Sequence, residues 1–168
     1  MPELPDITVY VESLAARLHG ATLQRVRVTN PFVLRTAVPP IGSAEGRQVA
    51  GIERLGKRVV IALEGEMYLV VHLMIAGRLQ WLAAGAKPAK TALASFEFDA
   101  GTLVLTEAGT KRRASLHLLA GREALLVEEG AVARAVVLRV SLTGGRVRVD
   151  RRVPRGRARI RERDVDAV

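Results

Sequence analysis

The hydrophobic period of the chain changes once, close to Gly20, and this change constrains the fold more than any other feature of the sequence. Before it, apolar side chains recur at helical spacing, at Ile7, Tyr10, Val11, Leu14 and Leu18. After it, short apolar runs alternate with turn residues, from Leu23 onward and over 47–55, 58–63, 66–73, 77–82, 93–98, 102–106 and 113–119. One helix followed by about eight short strands predicts a mainly β protein, a two-layer β-sandwich with the N-terminal helix packed at one end.

The composition excludes several classes of protein. With 168 residues and 49% apolar content, the chain can form one domain with a buried core, and no apolar run reaches the length of a transmembrane helix. The absence of cysteine excludes disulfides, thiol catalysis and zinc held by cysteine. The three histidines lie far apart, so we expect no metal site. The acidic start is unlike a secretory signal peptide, and we therefore expect a soluble cytoplasmic protein.

The net charge of +9 is concentrated towards the C-terminal end. Residues 131–168 contain 11 Arg and 4 acidic residues, whereas residues 1–130 contain 15 basic and 13 acidic residues. A basic surplus is typical of proteins with an anionic partner, most often nucleic acid. The sequence predicts one domain at 1–130 and an Arg-rich tail at 131–168, in which 135–149 can form a hairpin and the chain from Arg151 is irregular. A tail of this composition also arises when a GC-rich gene is read out of frame, which the nucleotide sequence of the locus would test.

The N-terminus carries residues with reactive chemistry. Removal of Met1 would leave Pro2 with a free secondary amine, and a terminal amine with a pKa of about 8 is partly neutral near pH 7. Such an amine can attack an electrophilic carbon and form an iminium, and the adjacent Glu3 can transfer a proton. From this chemistry alone, a plain helix start is the simpler interpretation of the same residues.

Four stretches of the chain are similar to one family of proteins. The opening MPELPD at 1–6 resembles MPELPEVE, the opening of the Fpg/Nei family, which comprises the formamidopyrimidine-DNA glycosylases and the endonuclease VIII-like enzymes. RLGKR at 54–58 resembles the family's RRGKYL turn, and HLMIAG at 72–77 resembles its HLGMSG segment. Residues 103–119 fall where the family has a DPRRFG turn between two strands. The resemblance extends over about residues 1–128 and is specific in combination.

The resemblance implies a β-sandwich with an N-terminal helix, and an enzyme that removes oxidised bases from DNA. Pro2 would attack C1′ of a flipped-out nucleotide and displace the base, after which β- and δ-elimination would nick the strand. Glu3 would be the acid/base that helps to open the sugar ring. Asp6 stands at the position of a second family glutamate, with a shorter reach, and is expected to contact DNA. Lys57 resembles a family lysine near the damaged nucleotide and its phosphate, and the resemblance implies a catalytic role for it. The alternative is a solvated turn lysine.

The resemblance also implies contacts with DNA around HLMIAG. His72 matches a family phosphate contact, and a strand-end histidine bonded to backbone is the alternative. The family's void-filling methionine aligns with Ile75, while Met74 takes the position of a family glycine. Both Met74 and Ile75 are therefore candidates for the apolar wedge that fills the space left by a flipped base.

A basic cluster stands where the DPRRFG turn is absent. Lys111, Arg112 and Arg113 are suited to phosphate contact, and either arginine can replace the family's inserted arginine. The alternative for the two arginines is a solvated turn. His117, on the strand that follows, is interpreted as a surface or structural histidine.

The resemblance ends before the family's second half. Nothing after Gly130 resembles the family's helical DNA-binding domain, and the chain has no cysteine for its zinc finger. The leading hypothesis is a bifunctional DNA glycosylase/AP lyase of base excision repair, without metal or cofactor, acting as a monomer on damaged double-stranded DNA in the bacterial cytoplasm. The alternatives are a non-catalytic DNA-binding β-sandwich module and a non-functional truncated product.

Overall fold

The computed structural model describes residues 3–130, 137–143 and 146–152, with side chains up to Glu128. Its first element is the helix α1, Leu4–Leu18, which buries the predicted apolar stripe and leaves the opposite side in solvent. Helix α2 spans Arg122–Gly130. No helix in these ranges is long and apolar enough to cross a membrane.

The described residues form ten strands, and every pairing between them is antiparallel. Two short 3₁₀ turns, Pro31–Val33 and Ile41–Ala44, separate the first two strands. The strands are β1 Thr22–Val28, β2 Arg47–Leu55, β3 Arg58–Leu63, β4 Met67–His72, β5 Gly77–Leu82, β6 Ala92–Phe98, β7 Gly101–Glu107, β8 Ser115–Ala120, β9 Val137–Thr143 and β10 Arg146–Arg152.

The strand β2 joins the two layers of the fold. Its first residues pair with β1 in the layer ordered β5-β7-β6-β1, and the rest of it pairs with β3 in the layer that continues through β4 to β8. The register between β2 and β3 shifts between Val49 and Gly51. An irregularity of this kind bends a strand and increases its twist, which allows one strand to serve both layers.

One hydrophobic core fills the space between the layers. It combines α1 with inward-facing residues of both, such as Phe96 and Leu103 from the first layer and Ile61 and Leu69 from the second. The other face of the second layer carries a smaller cluster under α2, in which Leu125 packs with apolar residues of β2, β3 and β4. Both faces of β3 are therefore buried, which explains its continuous apolar sequence.

The predicted β-sandwich with its N-terminal helix is confirmed. Helix α2 was not predicted, because its apolar residues are adjacent rather than spaced by three or four, and a nine-residue helix depends on tertiary packing. The hairpin expected within 135–149 corresponds to β9 and β10, and β9 also pairs with β2. Arg151 and Arg152 belong to β10, so the irregular chain predicted from Arg151 does not begin there; residues 153–168 lie outside the described residues. The domain boundary at residue 130 stays a prediction.

Replacing Phe96 with alanine is expected to lower the free energy of unfolding by about 3–5 kcal/mol, because truncating a buried aromatic leaves a cavity. Phe96 is fully buried between the layers, with 0% exposure. Phe32 offers the matched control, since the same substitution there removes a ring that is 80% exposed and should change stability by less than about 0.5 kcal/mol. Urea denaturation of the two variants measures both values, and equal effects would contradict the assignment of Phe96 to the core.

Candidate active site

The candidate site lies at one edge of the second layer. Strand β3 begins at Arg58, β4 ends at His72 and β8 begins at Ser115, and these three residues are paired in register across the strands. The turn before β3, the turn after β4 and the loop before β8 therefore leave the sheet at the same edge. These are the segments in which the sequence predicted Lys57, the 72–77 motif and the basic cluster.

The N-terminus of α1 reaches this edge through an ion pair between Glu3 and Lys57. Glu3 Oε2 lies 3.0 Å from Lys57 Nζ, and both side chains are partly exposed. Lys57 follows Gly56, whose φ of 58° belongs to the left-handed region that favours glycine, and the β2–β3 turn depends on it. Two predicted catalytic residues from distant parts of the chain are thus in direct contact.

Asp6 orients the start of α1. Its Oδ2 accepts a hydrogen bond of 2.8 Å from the backbone N–H of Glu3, which is the helix N-cap residue. That N–H belongs to the peptide bond that joins Pro2 to Glu3, so the carboxylate holds the backbone beside the predicted nucleophile. Pro2 itself lies outside the described residues. The prediction that Asp6 contacts DNA stays a prediction, whereas its contact with the Glu3 backbone is observed.

The turn after β4 presents the two candidates for the void-filling wedge differently. Met74 is half-buried with φ of 55°, a left-handed conformation that is uncommon for residues other than glycine, and this conformation explains the glycine in the family's HLGMSG. Ile75 is 52% exposed, so its side chain is accessible to a ligand. Gly77 closes the turn through a 2.9 Å bond from its N–H to the carbonyl of Leu73. A Cβ on Gly77 would lie 2.3 Å from that carbonyl oxygen, so only glycine fits.

The basic cluster occupies the loop 108–114, which connects β7 to β8. Lys111, Arg112 and Arg113 are all exposed, and no ion pair among the described residues engages them. The loop ends in a contact that the sequence did not indicate. Glu107, which is only 6% exposed, accepts hydrogen bonds from the backbone N–H groups of Arg113 and Ala114 at 2.8 and 3.0 Å.

Arg58 is paired inside the protein and is not available to a ligand. Its guanidinium forms an ion pair with Glu128 on α2, at a distance of 2.5 Å, and both side chains are mostly buried. The pair ties α2 to the strand that follows Lys57. Sequence analysis did not assign Arg58 or Glu128 to the site, because residues so distant in the chain give no local signal of their contact.

The electrostatics of this edge favour neutral imidazoles. Burial lowers the pKa of His72, and the positive charge of Arg58 lowers it further. Burial also lowers the pKa of His117, which lies on the neighbouring strand β8. Glu128 acts in the opposite direction on both groups. His117 is interpreted from the sequence as a surface or structural histidine; its Nδ1 atom is buried without a hydrogen-bond partner.

Both histidines are expected to titrate below about pH 6.5, the ordinary histidine value. Replacing Glu128 with glutamine removes the charge that raises the two pKa values, so both midpoints should move further down. Nuclear magnetic resonance of the imidazole protons measures the midpoints in the two proteins. A midpoint for His72 above the ordinary value, or an upward shift in Glu128→Gln, would contradict the electrostatic assignment.

The same pKa shifts predict the direction in which stability depends on pH. The unfolded chain binds protons at these histidines more readily than the folded chain, so their contribution is complete above the unfolded pKa of about 6.5 and is lost as the pH falls below it. The free energy of unfolding should therefore decrease between pH 7.5 and 5.5. The double variant His72→Gln/His117→Gln should show a smaller decrease over this interval.

Comparison with known proteins identifies the family and the fold. Residues 1–116 match a family model, the formamidopyrimidine-DNA glycosylase N-terminal domain. The chain belongs to this family. The predicted resemblance to the Fpg/Nei family is thereby confirmed.

Curated relatives carry the name formamidopyrimidine-DNA glycosylase. The protein of Solibacter usitatus is 36% identical over 109 residues, which cover 64% of this chain and 40% of the relative. The protein of Moorella thermoacetica is 34% identical over 125 residues, which cover 73% of this chain and 45% of the relative. The chain thus spans less than half the length of these two proteins.

Solved structures of the family share the fold. Lactococcus lactis formamidopyrimidine-DNA glycosylase, non-covalently bound to DNA containing an AP site, superposes with a TM-score of 0.67 at 21% identity, over 74% of this chain and 48% of that one. MutM in complex with DNA containing carbocyclic 8-oxo-G superposes with a TM-score of 0.68 at 21% identity, over 75% of this chain and 48% of that one. At this level of identity the likeness establishes the architecture.

The structure brings together most of the residues that the sequence predicted for the site. Glu3 and Lys57 are in contact, and His72 and the end of the basic loop lie at the same sheet edge. Sequence analysis did not identify Glu107, which binds the end of the loop 108–114. It also did not identify the pair of Arg58 and Glu128, which attaches α2 to β3. The described residues contain no group of three or more histidine, aspartate or glutamate side chains suited to a metal ion.

Proposed function

We propose that this chain is a DNA glycosylase of base excision repair that removes oxidised bases and also acts as an AP lyase. The proposal rests on membership of the formamidopyrimidine-DNA glycosylase N-terminal domain family. The observation that carries it is the ion pair between Glu3 and Lys57, which unites the residue next to Pro2 with the family's lysine turn.

In the proposed reaction Pro2 is the nucleophile. Its secondary amine forms a bond to C1′ of the damaged nucleotide, and the glycosidic bond breaks with its electron pair leaving on the base, which takes up a proton. The bonded nitrogen gives its proton to the Glu3 carboxylate. Ring opening then breaks the bond between C1′ and O4′ and yields the iminium, while Glu3 returns that proton to O4′. Lys57, within 3.0 Å of Glu3, supplies positive charge that keeps the carboxylate in place and attracts the adjacent phosphate.

The same proposal assigns DNA contacts to the exposed groups at this edge. Lys111, Arg112 and Arg113 would neutralise phosphates, and His72 would donate a hydrogen bond as a neutral imidazole. Ile75 is preferred over Met74 as the wedge because more of its side chain is exposed.

The proposed substrate is damaged double-stranded DNA, bound by a monomer in the bacterial cytoplasm. The relatives come from bacteria, and solved relatives were crystallised with DNA that carries an AP site or a modified guanine. The chemistry requires no metal or cofactor, because the proline amine itself captures the sugar carbon. We therefore expect activity to persist in EDTA.

Borohydride trapping on duplex DNA with one abasic site tests the proposal. Borohydride reduces the iminium to a stable amine, so an active chain should give a protein–DNA crosslink, and peptide mass spectrometry should locate it at Pro2. A preparation in which Met1 is retained provides the matched control, because its proline nitrogen is an amide and cannot form the iminium. Removal of Met1 and folding are checked first, by intact mass and circular dichroism.

The outcome also decides between the proposal and its alternatives. A non-catalytic DNA-binding module would bind the duplex but give no crosslink. A non-functional product would neither bind nor crosslink, although folded. Either result from folded protein that lacks Met1 would overturn the proposed catalytic function.

A further inference from the structure

The loop 108–114 crosses from one layer of the sandwich to the other. It leaves β7 in the first layer at Glu107 and enters β8 in the second layer at Ser115. Its three cationic side chains are exposed and carry like charge, so they repel one another. Because they are not buried, their packing does not stabilise the loop. Without an anchor, such a loop would sample many conformations and would lose entropy on binding a ligand.

Glu107 supplies an anchor at the point where the loop reaches the second layer. Its side chain lies on the inward side of β7, in step with buried Leu105 and Leu103. From there Oε2 accepts N–H groups from two successive residues, Arg113 at 2.8 Å and Ala114 at 3.0 Å. Since Ala114 is 3% exposed and Ser115 is paired with His72, the end of the loop is held against the candidate site.

The anchor is charged and mostly removed from water. A buried carboxylate is costly unless hydrogen bonds satisfy it, and two backbone N–H groups are strong partners for this purpose. Conversely, loss of the carboxylate leaves the Ala114 N–H buried without this acceptor, which favours opening of the loop. The contact therefore favours one conformation of the loop backbone directly beside the exposed cations.

We propose that Glu107 is a positioning residue for DNA binding, which holds the backbone of 111–113 so that the three cations meet the phosphates of a duplex. This inference rests on the proposed function, since it takes DNA as the ligand. Glu107 acts through the loop and does not itself contact DNA, and a buried anion would repel the phosphates. Its removal should weaken binding although it raises the net charge.

Amide hydrogen exchange tests the anchor without DNA. In Glu107→Ala the amides of Arg113 and Ala114 should exchange at least about tenfold faster than in the wild type, whereas core amides should change little. Glu107→Gln retains one acceptor oxygen and should give intermediate exchange rates, so it serves if the alanine variant does not fold. Unchanged exchange at both amides in Glu107→Gln and in folded Glu107→Ala would overturn the inference.

Binding to an abasic-site duplex tests the consequence, with Glu97→Ala as the matched control. Glu97 pairs with Arg27 in the first layer, and its removal changes the net charge by the same amount. Glu107→Ala should bind about 5- to 30-fold more weakly than the wild type, and Glu97→Ala should not. In an Arg112→Ala/Arg113→Ala background, Glu107→Ala should cause little further loss, because a residue that acts through these cations has no effect without them.

The outcomes separate the two proposals. If the wild type binds and crosslinks DNA while Glu107→Ala binds as Glu97→Ala does, the inference falls and the proposed function stands. The inference also falls if Glu107→Ala weakens binding equally with and without the arginines, since that result indicates a general loss of structure. If the wild type neither binds nor crosslinks, the proposed function and the DNA-binding role of Glu107 both fall, and the exchange rates show only whether Glu107 holds the loop.

Discussion

Replacing Pro2 with glycine is expected to reduce the rate of borohydride-trapped complex formation by at least about 100-fold, as for the loss of a nucleophile in other enzymes. A secondary amine forms the iminium directly, and the pyrrolidine ring restricts the backbone that carries it. Glycine retains an amine but loses both properties. The initial rate of crosslinking to abasic DNA, measured at equal protein concentration, gives the ratio.

The control for Pro2→Gly is the same substitution at Pro88, in the loop between β5 and β6 of the first layer. Pro88→Gly should trap at the wild-type rate within a fewfold range. Retention of the full trapping rate by Pro2→Gly, with the crosslink mapped to a lysine, would contradict the assignment of Pro2 and make that lysine the nucleophile.

Replacing Glu3 with glutamine is expected to slow excision of an oxidised base by about 10²–10⁴-fold, the usual contribution of a positioned general acid. The amide has the size of the carboxylate but cannot deliver a proton to O4′, and it leaves Lys57 without its 3.0 Å ion-pair partner. Strand nicking at a preformed abasic site should decline less, because its sugar is already partly in the open aldehyde form. Single-turnover rates on the two substrates measure the difference.

Glu12→Gln provides the matched control for Glu3→Gln, since Glu12 is an exposed carboxylate on the same helix. Its excision rate should equal that of the wild type. Equal slowing of both reactions by Glu3→Gln would mean that the carboxylate contributes to binding or folding rather than to ring opening.

The strand positions could be predicted because each depends on its own residues. The predicted runs 47–55, 58–63 and 77–82 coincide with β2, β3 and β5, and turn residues bound them. The apolar stripe of α1 could be predicted for the same reason, because its spacing is set by residues within the helix itself. Helix α2 escaped prediction because its formation depends on the apolar face of the second layer against which Leu125 packs. The pairing of β9 with β2 was not predicted for the same reason, since the sequence of a strand does not specify which strand it pairs with.

The sequence by itself determined the secondary structure of the sandwich and, through its resemblance to a family, the candidates Pro2, Glu3, Lys57 and His72. Tertiary structure alone decided how they work together. The contact between Glu3 and Lys57, the buried Glu107 beneath the basic loop and the lowered pKa of His72 arise from segments distant in the chain. The physical reason is that periodicity and turn chemistry act over a few residues, whereas ion pairs, desolvation and layer packing depend on which distant segments the fold brings within a few ångströms.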